Sequence, residues 1–193
     1  MSRTRANLCG CAAAAAALLA PTGCGGGDRR DADLPGGSYR VEVRRASFAP
    51  EQHLAQLSAL VISVRNAGDE AIPNLTLTVR GFSDRSGGPR EAELGRDLWI
   101  VDRAPAGATT AFEDTWTAGR LDRTDTATLR WEVTPVVAGA HELTYEIAPA
   151  LAGSGRIELA RGGEARGTIS VRVTDRPIRA RVDPRTGAIR RQE

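Results

Sequence analysis

The chain has 193 residues, of which 41% are hydrophobic and only 4% aromatic, so we expect one domain with flanking segments and a core of Val, Leu, Ile and Ala. All 26 basic residues are arginine against 24 acids, and the formal net charge is only +2. Because abundant Arg accompanies abundant Ala and Gly, as GC-rich codons favour, the composition does not indicate nucleic-acid binding.

The first 23 residues have the organisation of a secretory signal peptide. Residues 1–7 hold two arginines and no acid, and residues 8–20, LCGCAAAAAALLA, are uncharged and mostly apolar. These 13 residues make a helix of about 20 Å, which is shorter than a hydrocarbon core of about 30 Å. The leader therefore predicts export and cleavage rather than a permanent membrane span.

The leader ends in Pro21-Thr22-Gly23-Cys24, and no cysteine follows. This ending resembles the lipobox of bacterial lipoproteins, with Pro21 where Leu is usual. The resemblance implies that Cys24 receives a diacylglyceryl group on its sulfur and becomes the first residue of the mature chain. Two acyl chains give stable anchoring, so we expect an extracytoplasmic protein held at the cell membrane by its lipid.

Three segments follow the leader. Residues 24–37 begin with three glycines after Cys24 and are rich in Asp, Arg and Pro, which predicts a flexible tether. Residues 38–174 form the folded domain, and residues 175–193 form a basic tail. The candidate contact residues of this tail, for anionic lipid head groups or acidic wall polymers, are Arg179, Arg181, Arg185, Arg190 and Arg191.

Alternating apolar and polar residues dominate the folded domain. The predicted strands are 38–48, 59–66, 74–82, 98–102, 110–116, 126–136, 140–147, 155–160, 167–173 and 178–182. Pro73 should bar a central strand before residue 74, and the polar stretch 83–97 should be an exposed loop. This pattern predicts an all-β fold, a single antiparallel immunoglobulin-like β-sandwich, with a small closed barrel as the alternative.

Two stretches carry a second resemblance. VRNAGDEAIPNLTLTV resembles the B–C hairpin of bacterial immunoglobulin-like modules of the CARDB and NEW3 kind, and AGRLDRTDTATLRWEVTPVVAGAHELTYEI resembles their later part. The resemblance implies core or turn roles for Leu121, Trp131, Val133, Gly139, Leu143 and Tyr145, whereas Asp125 stands where Gly is common. Such modules host many functions, so the resemblance says little about activity.

The sequence offers little for catalysis. It contains two histidines, no cysteine after Cys24 and no G-x-S-x-G elbow, so we expect no metal, no cofactor and no catalytic residue. His141 should cap the preceding turn through a bond to the backbone, and His53 should be solvated. Acidic pairs such as Asp69-Glu70 are common in any β-protein.

The three tryptophans are expected in the core. For Trp99 and Trp116 the competing hypothesis is an exposed anchor, because aromatic residues dominate binding hot spots.

The predicted function is a membrane-anchored cell-envelope lipoprotein that displays a non-catalytic domain to a protein or an envelope polymer. The alternatives are a ligand- or solute-binding lipoprotein with a pocket in a sandwich or barrel and, third, a hydrolase with a carboxylate site. A continuous apolar cavity would favour the second function and two converging acids the third; a filled core with flat polar faces would favour the first.

Overall fold

The computed structural model describes residues 31, 33–84, 96–152, 155–176, 179–187 and 189–192. These residues form β-strands joined by turns and contain no helix. Consequently, no helix in these ranges has the length and hydropathy needed to cross a membrane. The leader and Cys24, with their predicted cleavage and lipidation, lie outside the described residues.

Four strands, at residues 51–53, 83–84, 96–97 and 189–192, were not predicted, and one predicted strand is divided, so the described residues contain fifteen strands rather than ten. Residues 85–95 of the expected loop lie outside the described residues. The remaining predicted strands are present with small differences in bounds. The fifteen strands are β1 (Ser38–Ser47), β2 (Glu51–His53), β3 (Ser58–Asn66), β4 (Ile72–Arg80), β5 (Ser83–Asp84), β6 (Arg96–Asp97), β7 (Trp99–Arg103), β8 (Thr109–Phe112), β9 (Thr115–Leu121), β10 (Thr126–Pro135), β11 (Gly139–Ala148), β12 (Arg156–Leu159), β13 (Arg166–Thr174), β14 (Arg179–Val182) and β15 (Ile189–Gln192).

Two large sheets make an immunoglobulin-like sandwich. One has five strands in the order β12-β1-β3-β10-β7, and the other has six in the order β2-β13-β11-β4-β9-β8. The neighbours β1-β3-β10-β7 correspond to the A-B-E-D sheet of an immunoglobulin fold, and β4-β11-β13 correspond to its C-F-G sheet. The expected sandwich is confirmed, and the closed barrel is not observed.

The sheets are mixed rather than purely antiparallel, which corrects the sequence prediction. β12 pairs in parallel with β1, and β2 pairs in parallel with β13. Both parallel partners are short edge strands, and parallel pairing depends on long-range packing that leaves no local signal.

Two local predictions were also wrong. Residues 110–116 do not form one strand, because a turn with Asp114 at φ 57° separates β8 from β9. Pro73 lies inside β4, which is a central strand of its sheet. The register of β4 against β9 shifts between Ile72 and Leu75, and such an irregularity accommodates a residue that has no N–H for the ladder.

The core lies between the sheets and is built mainly from aliphatic residues. Leu129, Trp131 and Val133 alternate along β10 and are at most 2% exposed. Leu75, Leu77 and the other inward residues of β4 and β11 meet them from the opposite sheet. At about 25 cal/mol per Å², this burial is the main favourable term in folding.

The sandwich has two ends, which we name by the strands that begin there. At the proximal end β1, β4 and β10 begin, and at the distal end β3, β7 and β11 begin. β1 has ten residues, so at about 3.3 Å per residue the ends are about 30 Å apart.

The N-terminal segment is held against the proximal end. The Asp31 carboxylate accepts hydrogen bonds from Asn74 Nδ2 at 2.6 Å and from the Leu151 N–H at 2.9 Å. Gly37 accepts a backbone hydrogen bond from Arg156 at 2.7 Å. Hydrogen bonds thus join Asp31, Pro35 and Gly37, which lie in the segment expected to be a tether, to the folded domain. Residues 24–30 and 32 of the expected tether lie outside the described residues.

Asp31→Ala should release this segment while leaving the sandwich folded. Losing the carboxylate bonds costs about 1 kcal/mol, so the Leu34 amide, which donates to the Asp31 carbonyl, should exchange with solvent about fivefold faster. Hydrogen–deuterium exchange measures this rate. Asp33→Ala is the matched control, because Asp33 is exposed and should leave the exchange unchanged. Equal exchange in the wild type and Asp31→Ala would contradict the proposed contact.

Candidate interaction surface

A groove beside β12 carries charged residues. Its volume is about 600 Å³, and its walls include Glu146, Glu158 and Glu164. Glu146 pairs with Arg80 at 3.6 Å, and Glu164 pairs with Arg166. Glu158 and Glu164 are partners in an isolated β-bridge, and both are exposed.

A smaller slot has partly apolar walls. This slot, of about 220 Å³, lies between Val41, Val43, Tyr145 and Leu159. Pockets for drug-sized ligands usually measure about 300–1,000 Å³, so the volume of this slot lies below the usual range. Partial burial raises the pKa of the Tyr145 phenol above its ordinary value.

The two histidines have structural partners. His141 Nε2 lies 3.0 Å from the Val137 carbonyl oxygen, so the predicted cap of this turn is confirmed. His53 Nδ1 lies 2.8 Å from Thr174 Oγ1 and 2.7 Å from the Arg176 carbonyl oxygen. Within the described ranges, no group of three or more His, Cys, Asp and Glu side chains could hold a metal ion.

Trp99 is a core residue with a buried polar partner. It is 2% exposed, and its Nε1 donates to Gln52 Oε1 at 3.0 Å. Its ring contacts Phe48 and His141 with centroid separations of 5.9 and 5.1 Å. The hypothesis of a surface anchor at Trp99 is therefore wrong, because a side chain enclosed in this way offers no area to a partner.

Trp116 is also buried, at 5% exposure, and so does not provide a surface anchor either. It packs edge-to-face on Trp131, with ring centroids 5.2 Å apart and planes at 78°. The indole nitrogens of both residues are buried and lack a hydrogen-bond partner. Burying an indole N–H without a partner lowers the stability of the fold. The edge-to-face contact offsets part of this loss, because aromatic pairs contribute about 0.5–1.5 kcal/mol beyond their buried area.

The basic tail contains a β-hairpin. β14 pairs with β15, so that Arg179 lies opposite Gln192, Ala180 opposite Arg191, and Arg181 opposite Arg190. Arg185 is exposed in the connecting turn, and its N–H donates to Asp183 at 2.9 Å. The tail starts after β13, which finishes at the distal end, where the Arg176 carbonyl contacts His53.

Exposed apolar residues gather on the outer face of the five-stranded sheet at the distal end. Leu57, Ile100 and Val136 are 52%, 49% and 40% exposed, and we call them the apolar strip. Thr134 pairs with Ile100 on β7. On the other side of β10, Val133 pairs with Ser58, and Leu57 directly precedes Ser58 in the chain. The Val136 N–H donates to the Leu98 carbonyl at 2.9 Å, which places Val136 beside this row.

Sequence reasoning missed the apolar strip. Leu57 lies in a connection, Val136 at the end of a strand, and Ile100 in LWIVD, where apolar residues occupy both alternating positions. Apolar residues on both faces of this strand were the sign of an exposed apolar side chain, because a strand with one solvated face normally alternates apolar and polar residues. Only the pairing of β3, β10 and β7 brings the three residues together.

Comparisons with known proteins do not assign this chain to a family. No family model and no curated protein matches the chain. A CARDB domain of Pyrococcus furiosus is 14% identical, with a TM-score of 0.42 and coverage of 70% of this chain and 87% of that chain. A Clostridium perfringens cohesin module is 9% identical, with a TM-score of 0.43 and coverage of 72% and 98%. A PapD-like domain of human CEP192 is 11% identical, with a TM-score of 0.39 and coverage of 72% and 87%.

Proposed function

We propose that this chain is a cell-envelope lipoprotein, anchored through Cys24, whose immunoglobulin-like domain binds a protein or an envelope polymer and performs no catalysis. The observation that supports this function best is the filled core. All three tryptophans and the inward aliphatic residues occupy the space between the sheets. The chemistry of the domain is therefore displayed on its outer faces and ends.

The geometry of the N-terminal segment supports the anchoring. Six residues, 25–30, separate Cys24 from Asp31, which is bound to the proximal end. Fully extended, such a segment spans about 20 Å. A lipid at Cys24 would thus keep the proximal end close to the membrane and direct the distal end away from it.

The basic tail is the part of the domain suited to anionic contacts. Its arginines, Arg179, Arg181, Arg185, Arg190 and Arg191, follow a strand that finishes at the distal end. In the proposed orientation the start of the tail lies about 30 Å beyond the proximal end, so we propose acidic groups of a partner or a wall polymer as its contacts.

Cys24→Ser should move the protein out of the membrane fraction, because the substituted residue cannot carry the thioether-linked diacylglyceryl group. The measurement is fractionation of producing cells, combined with labelling by an alkyne fatty acid. We expect loss of essentially all label and of most membrane-associated protein. Cys11→Ser is the matched control, since Cys11 belongs to the predicted leader, and it should behave as the wild type. Retention of labelled Cys24→Ser in the membrane would overturn the anchoring.

A further inference from the structure

We infer that Asp31 and residues 33–36, which we call the strap, can leave the proximal end and so set how far the folded domain stands from its lipid anchor. When the strap is docked, only residues 25–30 separate Cys24 from the contact at Asp31. When it is released, its own length is added to that segment. The inference rests on the proposed function, because it assumes an anchor at Cys24.

Hydrogen bonds near the surface hold the strap. The Asp31 carboxylate accepts from Asn74 Nδ2 at 2.6 Å and from the Leu151 N–H at 2.9 Å, and so joins the strap to β4 and to the connection after β11. The Pro35 carbonyl oxygen accepts from the Tyr39 phenol at 3.3 Å. Asn74 and Leu151 are only half-buried, so water can replace the carboxylate as their acceptor when the strap leaves.

The strap itself buries little surface. Asp33, Pro35 and Gly36 are exposed, and Leu34 is half-buried and does not belong to the residues packed against the core. Asp31 has φ 69°, in the left-handed region that is disfavoured for residues other than glycine. Segments with few buried contacts open at a much lower free energy than the whole domain. The strap can therefore open while the sandwich stays folded.

The first strand determines where this opening stops. The Arg156 N–H donates to the Gly37 carbonyl at 2.7 Å, directly before Ser38 pairs with Arg156 in the parallel ladder of β1 and β12. A Cβ atom at Gly37 would lie 3.0 Å from the phenol oxygen of Tyr39, which is 5% exposed, so the backbone packs closely on the core here. Release thus ends at Gly36 and leaves β1 in its sheet.

Release doubles the length of chain between the anchor and the domain. The six residues 25–30 span about 20 Å when extended, whereas the twelve residues 25–36 span about 40 Å. Tension between a lipid at Cys24 and a partner bound to the domain acts on Asp31 before it reaches β1, and it favours the longer, released state. The strap therefore gives the anchored domain about 20 Å of additional reach.

Spin–spin distances in the purified full-length protein test the release. The labels are attached to p-acetylphenylalanine introduced at Asp33 in the strap and at Glu142, which is exposed on β11. We expect a narrow main distance in the wild type. In Asp31→Ala the broad component from the released strap should grow about fivefold, with an unchanged melting temperature.

Asp122→Ala is the matched control for this measurement. Asp122 is an exposed acid after β9 at the same end of the domain, and its carboxylate pairs with Arg120. Its removal should leave the distance distribution unchanged. The same narrow distribution in the wild type and in Asp31→Ala, or an equal change in Asp31→Ala and Asp122→Ala, would overturn the inference.

The height of the domain above a membrane tests the reach. The lipidated protein is placed in a supported bilayer of phosphatidylethanolamine and phosphatidylglycerol, and energy transfer from a fluorophore at position 142 to a dye in the bilayer measures the height. Asp31→Ala should raise the mean height by up to about 20 Å, and Asp122→Ala should not change it. Equal heights for the wild type and Asp31→Ala would overturn the role of the strap in reach.

The strap and the anchor fail in different ways, because the spin–spin distances need no membrane. A strap that stays docked in Asp31→Ala, in a protein that is lipidated at Cys24, would reject this inference and keep the proposed function. A strap that opens in a protein without lipid at Cys24 would reject the anchoring, and the role in reach with it.

Discussion

Trp99→Ala should lower the free energy of unfolding by about 3–5 kcal/mol, as removal of a fully buried large aromatic side chain does. Trp99 is 2% exposed and packs against Phe48 and His141. The substitution also leaves Gln52, which is 1% exposed, without the donor that its Oε1 accepts from. The expected loss of stability therefore has two causes, a cavity and an unpaired buried oxygen.

Chemical denaturation of the full chain measures this effect, and two Trp→Phe variants separate its causes. Trp99→Phe retains an aromatic ring but removes the bond to Gln52, and an unpaired buried acceptor costs about 1–3 kcal/mol. Trp131→Phe also removes part of a buried indole, but its Nε1 has no hydrogen-bond partner to lose. Trp99→Phe should therefore be the more destabilising of the two. A smaller effect at Trp99, or a Trp99→Ala variant with unchanged stability, would contradict the core role.

Asn66→Ala should destabilise the domain by about 2–4 kcal/mol, because it removes three hydrogen bonds to the backbone, one of them fully buried. Asn66 is 0% exposed. Its Nδ2 donates to the Glu70 carbonyl at 2.8 Å and to the Leu121 carbonyl at 3.1 Å, and its Oδ1 accepts from the Gly68 N–H at 3.0 Å. One side chain thus joins the turn after β3 to the end of β9.

Asn74→Ala is the matched control for this second prediction. Its side chain bonds to Asp31 at the surface of the proximal end and is only partly buried, so the loss should stay below about 1 kcal/mol. The same denaturation experiment compares both variants at one temperature and pH. Equal losses at the two positions would mean that the Asn66 bonds do not act as a buried junction.

Period-2 patterning was the most reliable guide to the fold. Thr126–Pro135 and Gly139–Ala148 form the strands that alternation predicted, and Trp131 lies in the core on the face that it shares with Leu129 and Val133. Alternation succeeds here because each of these strands has one buried face, so the side-chain pattern records the environment directly.

Local patterns did not reveal which strands become neighbours. The parallel pairing of β1 with β12 joins residues more than 100 positions apart in the chain. The hydrogen bond between Asp31 and Leu151 also joins residues more than 100 positions apart. The burial of Trp99 could not be predicted from local patterns either, because it depends on Phe48, Gln52 and His141 from other parts of the chain.

The sequence by itself determined the all-β class, the principal strands and their inward faces, and it located the candidate lipidation residue Cys24. These features depend on local composition, on alternation and on a short contiguous motif. The tertiary structure alone decided that Trp99 and Trp116 are buried, that Asp31 is bound at one end, and that the apolar strip lies at the other. Those properties arise from strand register and packing, which bring together side chains from distant segments and which no short stretch of sequence encodes.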